Sequence, residues 1–499
     1  MHCSFRHFVP WLVFSIGACG GAERAIVSVD AGTATAHSTP DGAPDGGGGP
    51  VDATAPDGDG SVPSDGSGSP PLNDGEAAGV GSDAEIATEV PNRLDPSFGV
   101  VTIPTNTFSD ARPPLWIQSM AVKSDGRIVL GGRIESSKPI VAQLLASGRG
   151  LDPTFGTGGV VQFPDVDHLM SWWKEKPVVA IQADGKVLVG YGCEYPLYRV
   201  NNPDSADMCI TRLDANGALD STFGQADGDS GARTGTIPMT SGWSDRNAIE
   251  TLAVDGAGQI VFSGTNGPKW PNASEALVGR LTPDGALDPR FADGGFVKLG
   301  SSFSAAAGIA FSSTLHRIIV ASADGFTIAR LWGDGPIENV VTVPLGFGEP
   351  AGMLLEPDDS VVVAGTSTSI TDTHLETTLA VVKFGPDGHP DPRFGHDGVM
   401  ISRLPQVPGA REMRAAGIVS IGEALYVGGL AMHGEKATQV VMKMSATGIP
   451  DTSYGPDGFA YLLESGEMSA IAVQDGKILT CAEQTLGQGS AIVLARALP

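Results

Sequence analysis

A single phrase constrains this chain more than anything else in it. At residues 151–160 it reads LDPTFGTGGV, and it returns as LDPSFG from Leu94, LDSTFG from Leu219, LDPRFA from Leu287, PDPRFG from Pro390 and PDTSYG from Pro450. A worn copy, PIENVV, starts at Pro336. A phrase that recurs at a steady interval marks one structural unit used many times, because such a unit buries its apolar surface only against its neighbours. Several unrelated domains would not produce it.

The stretch between two copies reads as short strands. In the second unit the spacing predicts strand a over residues 159–163, b over 178–182, c over 186–190 and d over 209–213. Strands b and c flank Ala183-Asp184-Gly185, and an Asp-Gly between two apolar, β-rich runs signals a hairpin, since Gly adopts positive φ cheaply. The hairpin recurs at Asp125-Gly126, Asp255-Gly256 and Asp475-Gly476, with Asp358-Asp359 a looser version. The c strands, such as residues 128–131 and 361–365, are apolar without interruption and so belong between stacked sheets. Within the phrase, Asp caps a tight turn, Pro pre-sets φ, the aromatic ring fills an apolar gap and Gly reverses the chain.

Seven d strands fall near Ile140, Cys209, Ala276, Phe326, Leu379, Gln439 and Ala491. Four strands repeated seven times give an all-β fold, a seven-bladed β-propeller over residues 93–499. The 68 glycines and 36 prolines agree, since both interrupt helix interiors. A parallel β-helix is the rival, but its coils are much shorter than these units. Closure stays open at this level: either a strand at residues 100–103 completes the last blade, or the terminal blades pack without it.

A charged pair accompanies the phrase at an interval of eight: Arg212 with Asp220, Arg280 with Asp288, Arg330 with Glu338, Lys383 with Asp391 and Lys443 with Asp451. Repetition of this kind points to scaffold salt bridges between strand d and the following turn. The phrase, the VAIQADGKVLVGYG hairpin and the TRLDANGALD closing turn together resemble the uncharacterised delta-60 repeat family of bacterial, often myxobacterial, secreted proteins. The resemblance covers residues 94–499 and implies a propeller-like repeat without known catalytic residues. This sequence departs from the pattern at 332–341, where the phrase is worn, and at 312–317 and 422–424, where the hairpin lacks Asp-Gly.

The N-terminus reads as an address. Arg6, an apolar run over residues 8–16 and the small Gly17 and Ala18 before Cys19 make a signal peptide over 1–18, too short in its apolar part to span a bilayer. Ile16-Gly17-Ala18-Cys19 also resembles the lipobox of bacterial lipoproteins, which would make Cys19 a lipidated residue, the membrane a partner through that anchor, and the address the outer membrane or cell surface. An ordinary secretory signal is the alternative. Residues 19–92 then form a disordered tether, because 25–92 contain no Lys or Arg and hardly a large apolar side chain. The net charge of −26 argues against nucleic acid, which binds through clustered Lys and Arg.

Up-and-down blades put the b–c and d–a turns on one face of the disc and the a–b and c–d loops on the other. The second, variable face carries residues 104–117, 164–177, 193–208, 238–250 and 264–275. There lie Trp116, Trp172, Trp173, Trp243, Trp270, Tyr195 and Tyr198, an aromatic sector suited to a glycan, peptide or protein ligand, or else packing for the loops. Cys193 and Cys209 bracket one loop and are expected to form a disulfide in an exported protein, free thiols being the alternative. No HExxH, paired metal-type cysteines or phosphate loop is present, so no catalytic residue, metal site or cofactor is assigned. The half calcium loop at 227–231 lacks its distal Glu and reads as a plain turn. The sequence therefore favours a monomeric, non-catalytic binding head, with an extracytoplasmic lyase or hydrolase at the central channel as the alternative.

Overall fold

The computed structural model describes residues 93–104, 115–134, 138–163, 177–193, 207–224, 235–239, 246–267, 275–300, 303–370, 375–403, 410–433, 436–486 and 489–499. The signal peptide, Cys19, the tether and the 227–231 turn lie outside them. Among the described residues there is no α-helix.

The chain enters as β1 (Val100–Pro104) and then builds four strands at a time. Blade one holds β2 (Leu115–Val122), β3 (Ile128–Ile134), β4 (Lys138–Leu144) and β5 (Val160–Gln162). Blade two holds β6 (Val178–Ile181), β7 (Val187–Cys193), β8 (Asp207–Leu213) and β9 (Thr236–Met239), and blade three β10 (Arg246–Val254), β11 (Ile260–Gly267), β12 (Glu275–Leu281) and β13 (Phe296–Lys298). Blade four contains β14 (Ala306–Ser312), β15 (Arg317–Ser322), β16 (Phe326–Trp332) and β17 (Ile337–Val343). Blade five contains β18 (Phe347–Leu355), β19 (Val361–Ile370), β20 (Leu375–Phe384) and β21 (Val399–Ser402). Blade six has β22 (Ala410–Ile421), β23 (Ala424–His433), β24 (Lys436–Met444) and β25 (Phe459–Ser465), and β26 (Met468–Gln474), β27 (Lys477–Leu486) and β28 (Gly489–Ala497) begin the seventh.

Each blade is an antiparallel sheet in chain order, and the b strands β2, β6, β10, β14, β18, β22 and β26 touch one another in sequence around a ring. The molecule is a seven-bladed β-propeller. A blade is offset by one strand from the repeat unit of the sequence, since its outermost strand follows the next copy of the phrase. The seventh blade therefore lacks an outer strand until β1 supplies it, pairing Val100 with Ala495 through Pro104 with Ala491. The first and last of the described strands share one sheet.

Seven apolar clusters fill the seven seams between blades. The c strands are buried on both faces, as their unbroken apolar runs require: Ile128, Val129 and Leu130 are fully buried, as are Val362, Val363 and Ala364. Asp475 and Gly476 both take positive φ in the one two-residue b–c turn that carries Asp-Gly, while blades one to three close a longer turn with a single glycine, Gly126, Gly185 or Gly258, and blades four and five put His316 and Asp359 at positive φ.

Candidate functional site

On the turn face, each phrase folds around its acid. Asp152 accepts the backbone N–H of Thr154 at 3.0 Å and its hydroxyl at 2.7 Å, and Asp95, Asp220 and Asp451 repeat this with Ser97, Thr222 and Ser453. The other carboxylate oxygen faces the preceding d strand. Arg212 meets Asp220 at 2.8 Å, Arg280 meets Asp288 at 2.9 Å, Lys443 meets Asp451 at 3.1 Å and Arg330 meets Glu338 at 3.8 Å. Lys383 departs from the expected pairing: its ammonium goes to Glu356 at 2.5 Å, and Asp391 takes the neighbouring Arg393 at 2.9 Å. A closer carboxylate on the b–c turn captures the lysine, which has one charged point and no fork to share.

Two further pairs belong to the set. Arg496 reaches Asp95 at 2.8 Å, which Lys477 also reaches, and in blade one the neutral Gln143 donates to Asp152 at 2.8 Å. The first was invisible as an interval because its partners stand 401 residues apart and meet only through ring closure. The second was hidden by a non-ionic donor and a spacing of nine.

These phrases latch blade to blade. Phe98, Phe155, Phe223, Phe291, Phe394 and Tyr454 are all buried, and arginines stack on four of them: Arg496 on Phe98, Arg212 on Phe223, Arg280 on Phe291 and Arg93 on Tyr454. The residue after the ring then donates its N–H to the next blade's closing turn, as Gly156 does to Asn216 at 2.7 Å and Gly395 to Thr447 at 2.8 Å. Close approach explains the glycines here. A Cβ on Gly217 would stand 2.7 Å from the Gly156 nitrogen, and one on Gly156 would stand 2.5 Å from the Val160 carbonyl oxygen. The acid, the ring and the residue after the ring are engaged in scaffold.

The variable face has a different character. Fifteen residues separate β5 from β6, thirteen separate β7 from β8 and ten separate β1 from β2, whereas three separate β17 from β18 and two separate β23 from β24. Six of the seven sequence-assigned aromatic candidates, Trp172, Trp173, Tyr195, Tyr198, Trp243 and Trp270, lie on such loops outside the described residues. Trp116 is described. It stands at the variable-face end of β2, half-buried, with the Arg133 guanidinium 4.7 Å from its ring centre. Cys193 and Cys209 form a disulfide with Cα atoms 5.7 Å apart, closing the 194–206 connection at its foot.

A register feature locates what surrounds Trp116. The innermost strands β2, β10, β14, β18, β22 and β26 each carry a bulge at the same level, the bulged residues being Gln118, Glu250, Ala307, Ala351, Ala416 and Ser469. Two positions above, towards the loops, stand Trp116, Glu349, Arg414 and Glu467, from the adjacent blades one, five, six and seven. Arg414 binds Glu412 at 2.7 Å and Glu467 at 3.6 Å. Burial opposes the Arg414 charge, but Glu412, Glu467 and Glu349 outweigh it and hold its pKa above the usual value. The Ile117 N–H donates to Glu483 of blade seven at 2.6 Å. Only the bulge register brings this charged and aromatic rim together, so interval counting could not have found it.

A second concavity opens on the turn face between blades three and four. It is a hollow of about 550 Å³ lined in part by Arg280, Arg290, Phe311, Leu315, Arg317 and Trp332. Trp332 is 44 % exposed, with the Arg317 guanidinium 3.3 Å from its ring centre. Among the described residues, no group of three His, Cys, Asp or Glu side chains is placed to hold a metal ion.

No family model and no curated protein matches this chain. Among solved structures it is similar to a polysaccharide lyase, ulvan lyase, solved with bound -[GlcA(1-4)Rha3S]-, at a TM-score of 0.41 and 10 % identity over 80 % of this chain and 95 % of that one. It is also similar to Drosophila Semaphorin 2a, at a TM-score of 0.44 and 9 % identity over 81 % and 76 % of the two chains. Similarity at this level carries no argument about function.

Proposed function

We propose that this chain is a cell-envelope lipoprotein whose propeller is a non-catalytic head that binds a glycan, peptide or protein through its variable-loop face. One observation carries this reading: in blades one to three the strand ends on one face of a closed ring are joined by connections of variable length, while the described part of the opposite face is occupied mainly by the repeated latch turns. Binding residues concentrate on long loops over a rigid scaffold. Trp116, stacked with Arg133 at the foot of those loops, is the kind of amphipathic anchor such surfaces use. The resemblance of the repeat to the delta-60 family, the lipobox at Cys19 and the acidic tether fit a head held away from a membrane.

The test is a glycan array and a pull-down with the full chain. A ligand found by either is expected to be lost, by tenfold or more in affinity, when Trp172 and Trp173 are both replaced by alanine. Retention of wild-type affinity in that variant would remove the variable face as the site. Labelling by tritiated palmitate in an expressing bacterium should disappear in Cys19→Ala. Persistence of the label would reject the anchor.

A further inference from the structure

We infer that the hollow between blades three and four is a second site, taking a neutral sugar ring of a polysaccharide with Trp332 as its platform. It stands on the face opposite the proposed ligand surface and is independent of it. Its chief warrant is that two of the three departures of this chain from its own repeat, and a substitution in the preceding phrase, fall beside it. The b–c hairpin at 312–317 lacks Asp-Gly, the phrase at 336–341 is worn, and the phrase before it ends in Ala292 where other copies place Gly.

The register of β16 puts Trp332 at the turn position that other units fill with Leu145, Asp214, Thr282, Gly385 or Ser445. Here the tryptophan is 44 % exposed, with the Arg317 guanidinium stacked against its ring. Leu315, exposed as well, occupies a hairpin turn where units one, two, three and seven carry Asp-Gly. Beside it His316 holds φ at 49°, and Ala292 holds 46°, both in the left-handed region that disfavours a side chain. The site keeps strained backbone and exposed apolar surface at once.

The charges select the ligand class. Arg280 and Arg290 are both held by Asp288, and Arg317 by Glu338 through two nitrogens at 2.7 and 3.1 Å. With Asp334, which also lines the hollow, three guanidiniums meet three carboxylates, while the chain as a whole carries −26 and repels anionic polymers. What it offers is an aromatic ring edged by Leu315 and Phe311, with planar guanidinium donors fixed in place and Asp334 as an acceptor. That set suits the apolar face and the hydroxyls of an uncharged pyranose. An open hollow of this size suits one ring of a polymer lying across it.

The experiment is affinity electrophoresis of the full chain through native gels containing galactomannan, laminarin, dextran or polygalacturonate. Retardation is expected in at least one of the three neutral polymers, reduced at least fivefold by Trp332→Ala and largely retained by Trp332→Phe. The double variant Trp172→Ala, Trp173→Ala should leave it unchanged, which separates this site from the variable face. Leu315→Ser, on an exposed turn, gives a second reading if Trp332→Ala lowers expression or melting temperature, and should weaken retardation too. Absence of retardation in all three neutral gels, retardation in polygalacturonate alone, or retardation indifferent to both variants would overturn the assignment.

Discussion

The acids of the phrase make the turn face sensitive to acid. In Asp95 the Lys477 ammonium, the Ser97 hydroxyl and Arg496 hold the carboxyl well below its ordinary range against the cost of burial. In Asp220 burial alone would raise the pKa, and Thr222, Arg212 and Lys186 outweigh it. The Ser453 hydroxyl and Lys443 bring Asp451 down to about 2. Asp152, Asp288 and Asp391 are lowered in the same sense. Each group binds a proton more readily in the unfolded chain, so each contributes stability that is complete above the unfolded pKa of about 4 and is lost as pH falls through the folded values. Denaturant midpoints should be flat from pH 6 to 5 and fall steadily from pH 4 to 2, and replacing Asp220 and Asp451 by asparagine should flatten that fall. At this scale the sequence was partly transparent. The interval of eight revealed Arg212, Arg280 and Lys443 with their partners, but it misassigned Lys383, because which of two nearby carboxylates a lysine chooses depends on turn geometry that spacing does not encode.

Among the strands, alternation, Asp-Gly and unbroken apolar runs made b, c and d legible, since these patterns follow from local backbone preference and burial. The offset of the blade from the repeat unit is a tertiary fact: the strand after the phrase satisfies its hydrogen bonds on the preceding d strand, as Val160 to Gln162 do on β4. The worn phrase shows the same logic in reverse. Without the Asp-Pro-x-Phe turn and its glycine stop, the chain turns tightly at 333–335 and runs on as the seven-residue β17, where β5 and β13 have three. The bulges of the inner strands left no mark in the sequence, because the bulged residues range from Glu250 to Ala307 and share only a place in the register. In blade two the disulfide ties β7 to β8 at the base of a long connection, and closing a loop with a sequence separation of 16 stabilises by about 3 kcal/mol on the chain-entropy model. Cys193→Ser with Cys209→Ser should shift the guanidinium unfolding midpoint down by a corresponding amount and make it insensitive to reductant. An unchanged midpoint would deny the bridge a structural role.

Over the whole molecule, seven weakly sufficient sheets become one body because each phrase docks on the next blade and the last sheet is completed by the first strand. The sequence indicated the number of blades but left closure open, since pairing between segments some four hundred residues apart cannot be read from local pattern. Closure also explains the division of labour between the faces. With the turn face committed to latches, new loops are tolerated on the other side. The account therefore rests on the ring being closed through the first phrase, where Asp95 meets Arg496 with both side chains nearly buried. A double-mutant cycle of equilibrium unfolding with Asp95→Asn and Arg496→Met measures that contact directly. A closed ring predicts a coupling of about 1.5 kcal/mol or more between the two positions. Effects that add to within about 0.5 kcal/mol would show that the ends do not meet and would contradict it.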